Sequence, residues 1–342
     1  MNKSVVIRAD AGGFTGTGHV MRMMALSQAC LRRGLKVVIV SVQCPKNLGD
    51  RLHASGIEHV HIEVSEPGNE EDSEATISLA REIGADWLVV DGYHFGYDYQ
   101  KRIKKADLAL LCVDDHGYSD LWCCDAILNQ NLDAEKCFDY SNDIASCQLL
   151  LGSSFCLLRE EFLRAKRHTK SRGAIQKLVI TLGGSDPENA TTATLSLLNE
   201  SVARPLEIRV LAGGDNSHVD QLRNFKSHHQ VEVIQNARNM PEQYAWADGI
   251  ISAGGSTCWE WLYMGLPGAI VTIAENQLPL VTALTDVRQA AVSLGWFNAF
   301  DQMLHGKILS QWLQGPEAVT RRKVAESIID GRGASRVVRR IV

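Results

Sequence analysis

The chain has 342 residues, more than a single hydrophobic core usually serves, so two domains are expected. Hydrophobic residues make up 45% of it and the formal net charge is −5, a balance that supplies two cores and offers no electrostatic case for nucleic acid or an acidic membrane. Its nine cysteines show no metal-ligand spacing and no disulfide framework, which fits a reducing, cytoplasmic setting, and no apolar run approaches a membrane span.

The apolar run Val5-Val6-Ile7 predicts a buried first strand. It leads into Asp10-Ala11-Gly12-Gly13-Phe14-Thr15-Gly16-Thr17-Gly18-His19-Val20-Met21-Arg22, a Gly-rich turn that passes into a helix carrying Met23, Ala25, Leu26 and Ala29. The glycines permit positive φ and a close approach of ligand to backbone. His19 falls at the helix mouth, where unpaired amides and the helix dipole favour an anion. The turn lacks the closing Gly-Lys-Ser/Thr of a phosphate-binding P-loop. Val40-Ser41 ends the next strand without an acid for a ribose, so neither an ATPase nor an NAD enzyme is indicated. A tight turn with an exposed histidine is the plain alternative.

Leu35 to Val40 reads as a second strand, Asn47 to Ala54 as a helix, and His59 to Val64 as a third strand. The acidic stretch Ser65 to Ser73 predicts a solvated loop, with a helix following over Glu74 to Ile83. Trp87 to Val90 then ends on Asp91-Gly92-Tyr93-His94, Leu108 to Val113 on Asp114-Asp115-His116-Gly117, and Ala126 to Leu128 on Asn129-Gln130-Asn131. Ligands gather beyond the carboxyl ends of parallel strands, so three successive polar ends mark a functional rim. Taken singly, each Asp or Asn is equally a cap or turn former. The basic run Arg164 to Gly173 reads as a linker.

The second half restarts the pattern. Lys177 to Leu182 leads into Gly183-Gly184-Ser185-Asp186, Gly249 to Ala253 into Gly254-Gly255-Ser256-Thr257, and Gly268 to Ile273 into Glu275-Asn276-Gln277. Both halves are βα repeats, so the expected fold is α/β, two Rossmann-like domains facing each other across a cleft. The expected bounds are 1–163 and 174–325, with 326–342 a tail helix returning to the N-terminal domain. Amides and hydroxyls at Gly255, Ser256 and Thr257 suit a diphosphate held without a metal. Thr257 and Glu260 also have the spacing of a capping box, while Glu260 is alternatively placed for a ribose.

These motifs occur in a recognisable order: Gly16-x-Gly18-His19-x-x-Arg22, Asp91-x-Tyr93, Asp114-Asp115, Asn129, Leu158-Arg159-x-Glu161-Phe162, Gly183-Gly184-x-Asp186-x-x-Asn189, Gly254-Gly255-Ser256-Thr257-x-x-Glu260, Glu275-Asn276-Gln277 and Asp330-Gly331-x-Gly333-Ala334. The set resembles the UDP-2,4-diacetamido-2,4,6-trideoxy-β-L-altropyranose hydrolases of pseudaminic acid synthesis, relatives of the lipid-II-forming glycosyltransferase with its GT-B architecture. The resemblance implies a UDP-sugar substrate, with water as the acceptor, inversion at the anomeric carbon and release of UDP. It implies His19, Tyr93 and Asp91 as the catalytic set, and no metal or cofactor. Substrate and nucleotide would be held by Gly16, Gly18, Arg22, Asp115, Asn129, Gly184, Ser185, Asp186, Gly255, Ser256, Thr257, Glu260, Asn276 and Gln277. One departure stands out. Members often carry Asp-His-Tyr-Gly where this chain has Asp91-Gly92-Tyr93-His94, so an altered sugar pocket is expected. An inverting glycosyltransferase of surface or spore polysaccharide synthesis shares the motifs, and a non-catalytic sugar-nucleotide-binding module is the third reading.

Overall fold

The computed structural model describes residues 3–12, 16–140, 147–165, 173–315 and 318–342. Gly13, Phe14 and Thr15 of the glycine turn and residues 166–172 of the expected linker lie outside them. The chain divides into two compact units, Met1–Glu160 with Gly331–Val342, and Glu161–Asp330.

In chain order the first unit comprises β1 (Ser4–Ala9), α1 (Gly18–Leu31), β2 (Lys36–Ser41), α2 (Lys46–Ala54), β3 (Glu58–His61), α3 (Glu70–Ile83), β4 (Trp87–Asp91), α4 (Tyr97–Lys105), β5 (Ala109–Val113), β6 (Ala126–Asn129), α5 (Ala134–Cys137) and β7 (Gln148–Leu151). The strands form one parallel sheet in the order β3-β2-β1-β4-β5-β6-β7. Strand alternation splits β1 between two cores. Val5, Ile7 and Ala9 join the apolar side of α1, while Val6 packs on the other face with Phe95, Tyr99 and Ile103. The helix α6 (Glu160–Arg164) begins at the boundary between the units.

The second unit runs through β8 (Lys177–Thr181), α7 (Ala190–Ser201), β9 (Glu207–Ala212), α8 (Val219–Arg223), β10 (Gln230–Gln235), α9 (Met240–Trp246), β11 (Gly249–Ala253), α10 (Thr257–Met264), β12 (Gly268–Thr272), α11 (Leu278–Thr282), β13 (Ala291–Trp296), α12 (His305–Gln314) and α13 (Ala318–Ile328). Its parallel sheet has the order β10-β9-β8-β11-β12-β13. β12 starts on glycine for a steric reason: a Cβ at Gly268 would lie 2.5 Å from the Trp261 indole of α10. The last helix, α14 (Gly333–Ile341), belongs to the first unit and packs on α1. Ala334, Val337, Val338 and Ile341 give it one apolar face at helical spacing, all four buried in that core.

The acidic stretch departs from its expected form. Asn69 caps α3 by accepting the Asp72 amide, so the helix starts at Glu70 and not Glu74. Asp72 and Ser73, expected in a solvated loop, are fully buried. The reason is Arg8, which alternation turns into the α3 side of the sheet with no exposed surface. A guanidinium there needs an acid, and Asp72 receives Nε at 3.0 Å and Nη2 at 2.9 Å. Asp10 lies 2.7 Å from Nη1, and it also accepts the amides of Val42 and Gln43, which ties the start of the glycine turn to the end of β2.

Removing one partner from a buried pair leaves the other charge uncompensated. Asp72→Ala should therefore cost about 3–5 kcal/mol in urea unfolding. A double variant, Arg8→Met with Asp72→Leu, should recover most of that loss. Equal destabilisation by the single and double changes would show that packing, and not the stranded charge, sets the cost.

Candidate active site

In both sheets the strand order reverses once, between β1 and β4 and between β8 and β11. Such reversals open a crevice beyond the carboxyl ends of the strands, because the two flanking connections leave in opposite directions. His19, Asp91 and Tyr93 fall at the first, and Gly184 to Asp186 and Gly255 to Thr257 at the second.

In the first unit, Gly12 and Gly16 bridge the base of the glycine turn, with φ of 125° and 65°, and Gly12 N–H donates to the Gly16 carbonyl at 2.9 Å. Gly18 opens α1, whose Thr17 cap provides no side-chain bond. His19 and Arg22 stand one turn apart on α1, on the side facing the end of β4. There Asp91, fully buried, accepts from His19 Nδ1 at 2.7 Å and from Arg22 Nε and Nη2 at 2.6 Å each. His19 Nδ1 and Arg22 Nη2 are also 3.1 Å apart. Both reach the same Asp91 oxygen, so this separation reflects a shared acceptor. With Nδ1–H given to Asp91, the other ring nitrogen, Nε2, is the basic one. Arg22 continues through Nη1 to Asp115, 2.7 Å away just past β5.

Tyr93 stands exposed at this rim. Its ring meets His19 edge-on at 4.9 Å between centroids, and its hydroxyl donates to Asp115 at 3.3 Å. The exchanged Asp91-Gly92-Tyr93-His94 order therefore keeps the tyrosine beside the histidine. His94 turns inward, with Nε2 3.3 Å from Asp10. Gly92 is its necessary counterpart, since a Cβ there would lie 2.9 Å from the His94 ring.

Burial alone would raise the Asp91 and Asp115 carboxyls. The partners outweigh it, the Arg22 charge and the His19 hydrogen bond for Asp91, the Arg22 charge and the His116 hydrogen bond for Asp115, and both are held below the usual carboxylate range. Burial, with Asp115 close by, raises the Tyr93 phenol above its usual range. Asn129 lies behind the rim, not on it. Its amide donates to Tyr140 at 2.8 Å, Tyr140 donates to Asp114 at 2.6 Å, and Asp114 holds the Gly117 amide. Asp114, Asp115 and His116 bring possible metal-ligand atoms within 4.8 Å of one another. Their oxygens already serve Tyr140, Gly117, Arg22 and His116, so a cation here would have to displace Arg22.

In the second unit the loop after β8 takes up Gly184, Ser185 and Asp186. It is strained: Gly183, Asp186 and Asn189 have φ of 107°, 42° and 56°. The cause is capping, because the buried Asp186 carboxylate accepts the first amides of α7, from Ala190 at 2.8 Å and Thr191 at 3.1 Å. Asp186 thus shapes the loop, leaving Gly184 and Ser185 as the groups available to a ligand. After β11, Gly255, Ser256 and Thr257 open α10, and their amides carry no partner among the described residues. The expected capping box is not formed: Ser256 is the cap, has helical φ and ψ, and makes no side-chain bond. Glu260 instead accepts from the Tyr244 hydroxyl at 3.5 Å. Gln277 supports the loop, its carbonyl accepting the amides of Gly254 and Ile273 at 3.2 Å each, while Asn276 is exposed.

Sequence reasoning passed over Tyr140 and the Arg8–Asp72 pair. It placed His116 on the polar rim but gave it no role of its own. Asp72 gave no signal.

Residues 176–286 match the family profile of the Glycosyltransferase family 28 C-terminal domain. The chain is 25% identical over 283 residues to the UDP-2,4-diacetamido-2,4,6-trideoxy-β-L-altropyranose hydrolase of Campylobacter jejuni, covering 82% of this chain and 95% of that one. It is 22% identical over 340 residues to the spore coat polysaccharide biosynthesis protein SpsG of Bacillus subtilis, covering 97% and 96%. An uncharacterized protein of Methanocaldococcus jannaschii is 24% identical over 80% of this chain, which spans 56% of that relative's length. Among solved structures, Acinetobacter baumannii MurG superposes with a TM-score of 0.70 at 15% identity over 99% of both chains. The fold is α/β of the GT-B type, and the resemblance carried by the sequence motifs stands. Among the described residues no helix is long and apolar enough to cross a membrane.

Because Asp91 and Asp115 bind protons less readily in the folded chain, the unfolded chain takes up more of them as pH falls through about 4. Their stabilisation is complete above that pH and is lost below it. Asp91→Asn should lower stability at neutral pH by about 3 kcal/mol or more. It should also flatten the acid limb of a urea-unfolding series. An acid limb identical to the parent's would mean that the cluster adds nothing to folding.

Proposed function

We propose that this protein is an enzyme acting on nucleotide sugars, and that it hydrolyses a UDP-linked deoxy-diacetamido sugar at the anomeric carbon with inversion. The observation that carries the reading is the His19–Asp91 pair at the β1/β4 reversal. Hydrolysis needs a water deprotonated at the moment of attack and a seat for the departing diphosphate. With Nδ1–H held by Asp91, His19 Nε2 takes the proton of that water. Arg22 fixes Asp91 and Asp115, its Nε, Nη1 and Nη2 nitrogens all reaching carboxylates, so its charge is already matched within the first unit. The diphosphate charge is met instead by the open amides and hydroxyls of Gly255, Ser256 and Thr257. UDP-sugar and water are then the two reactants, and the hydrolase from Campylobacter jejuni is the relative whose name supports this choice.

A second reading is favoured by the match to SpsG over nearly the whole chain. In an inverting transferase the same base would deprotonate an acceptor hydroxyl in place of water. Purified protein with UDP-diacetamido sugars and no acceptor should release UDP and free sugar. Turnover that appears only after a sugar or lipid acceptor is added would decide for the transferase.

Two variants divide the roles. His19→Asn should lower turnover at least roughly 10²-fold and leave UDP affinity within a few-fold, since proton transfer is lost and nucleotide contacts are not. Parallel loss of both would mean that His19 only holds the turn. Ser256→Ala with Thr257→Ala should weaken UDP binding by about 1–4 kcal/mol in calorimetry. Unchanged affinity in the folded double variant would move the diphosphate elsewhere.

A further inference from the structure

The rim of the first unit holds a second histidine–aspartate pair that the hydrolytic step does not use. His116 Nδ1 lies 3.0 Å from one oxygen of Asp115, whose other oxygen takes Arg22 and Tyr93. Tyr93 stands between the two imidazoles, edge-on to His19 at 4.9 Å and to His116 at 4.3 Å between centroids. The two pairs differ in access. The His19 side chain is 7% exposed and that of His116 is 35%. The Nε2 of His116 has no partner among the described residues.

We propose that His116 is a specificity-determining residue whose Nε2–H donates to the carbonyl oxygen of an acetamido group on the sugar. The inference rests on the reading of the protein as a nucleotide-sugar enzyme and names what that site selects. The leaving group needs no proton from a second imidazole, because a diphosphate departs as an anion that amides can hold. A donor beside the base, backed by its own carboxylate and left open, serves to recognise an acceptor on the sugar ring instead. The surroundings favour the donor form. The Asp115 hydrogen bond, helped by Asp114, lifts the His116 ring above the usual histidine range against burial and the nearby Arg22 charge. Tyr93 offers the apolar face and polar tip that suit the adjoining edge of a sugar. Asp115, with Asp114 beside it, favours the imidazolium form, in which Nδ1–H is engaged by Asp115 and Nε2 still carries a proton turned to ligand.

The test compares UDP-diacetamido sugars with counterparts in which either acetamido group is replaced by hydroxyl, using the wild type, His116→Gln and His116→Phe. The phenylalanine keeps a ring against Tyr93 and removes the donor, while glutamine keeps an N–H. Wild type should prefer the diacetamido sugar over one of the two counterparts by roughly ten- to a hundredfold in kcat/KM, as expected for a charged donor. His116→Phe should lose that preference through KM, with kcat on the hydroxyl counterpart retained, and His116→Gln should restore part of it. No acetamido preference in the wild type, or the same preference in His116→Phe, overturns the inference. So does an equal fall of kcat on every sugar, which marks a merely structural ring. If the wild type neither binds nor turns over any UDP-sugar, the reading beneath it fails first and takes this one with it.

Discussion

The first unit depends on one buried carboxylate. Asp91 ends β4 without exposed surface, and an ionised acid in that position is sustainable only with full compensation. The compensation comes from α1, through the fork of Arg22 and the Nδ1 of His19. Because these two residues are one helical turn apart, satisfying Asp91 fixes the rotation of α1 about its axis. The same fork fixes Asp115 through Nη1, and Asp115 in turn places Tyr93 and His116. His19, Arg22, Asp115, Tyr93 and His116 are therefore positioned by a single electrostatic requirement.

A second buried arginine shows why burial and charge do not by themselves make a site. Arg8 is as deeply enclosed as Asp91, and it is answered by Asp72 and Asp10 on the far face of the same sheet. Tyr99 and Thr76 close the shell around Asp72, the phenol and the hydroxyl both reaching its Oδ1 at 3.2 Å. Phe95 covers the guanidinium at 5.2 Å. Nothing in that cluster presents an open nitrogen or oxygen to a ligand. Around Asp91 the outcome is different, because each carboxylate orients an imidazole whose second nitrogen is left over. The Arg8 system stabilises and locates β1. The Arg22 system does the same and also exposes chemistry.

Much of this was legible in the sequence, and the reason is periodicity. Strands such as Val5-Val6-Ile7 and Leu178-Val179-Ile180 announce themselves, and the residues after each strand end must lie on the carboxyl rim of a parallel sheet. That is how His19, Asp91, Tyr93 and Asp115 could be named together before their distances were known. The pairing of Arg8 with Asp72 was not legible, since it joins residues 64 positions apart. Composition even pointed the wrong way there, because Glu66, Glu70, Glu71 and Asp72 look alike in a list while only the last turns inward. Roles within motifs were also hidden. Asp186 and Asn129 carry the residue types of ligand-binding positions, yet one caps α7 and the other supports Asp114 through Tyr140. Glu260 sits at capping-box spacing, but Ser256 already has helical dihedrals, so the geometry of a side-chain cap is absent.

Fold likeness at 15% identity gives architecture and leaves chemistry to the residues. In the proposed reaction the base is His19 at the β1/β4 reversal, which would serve water and a hydroxyl acceptor equally well. Selectivity must then come from groups that differ in what they present to the sugar and its acceptor. Around Tyr93 the two neighbouring histidines part company: His19 meets the tyrosine ring edge-on, while His94 turns toward Asp10. His116 stands against the same ring, fixed by Asp115. The rim thus carries two imidazoles around one aromatic ring. In the proposed reaction the two imidazoles have separate carboxylates, so a substitution at His116 would alter what the rim presents to a sugar and leave the His19–Asp91 pair as it is.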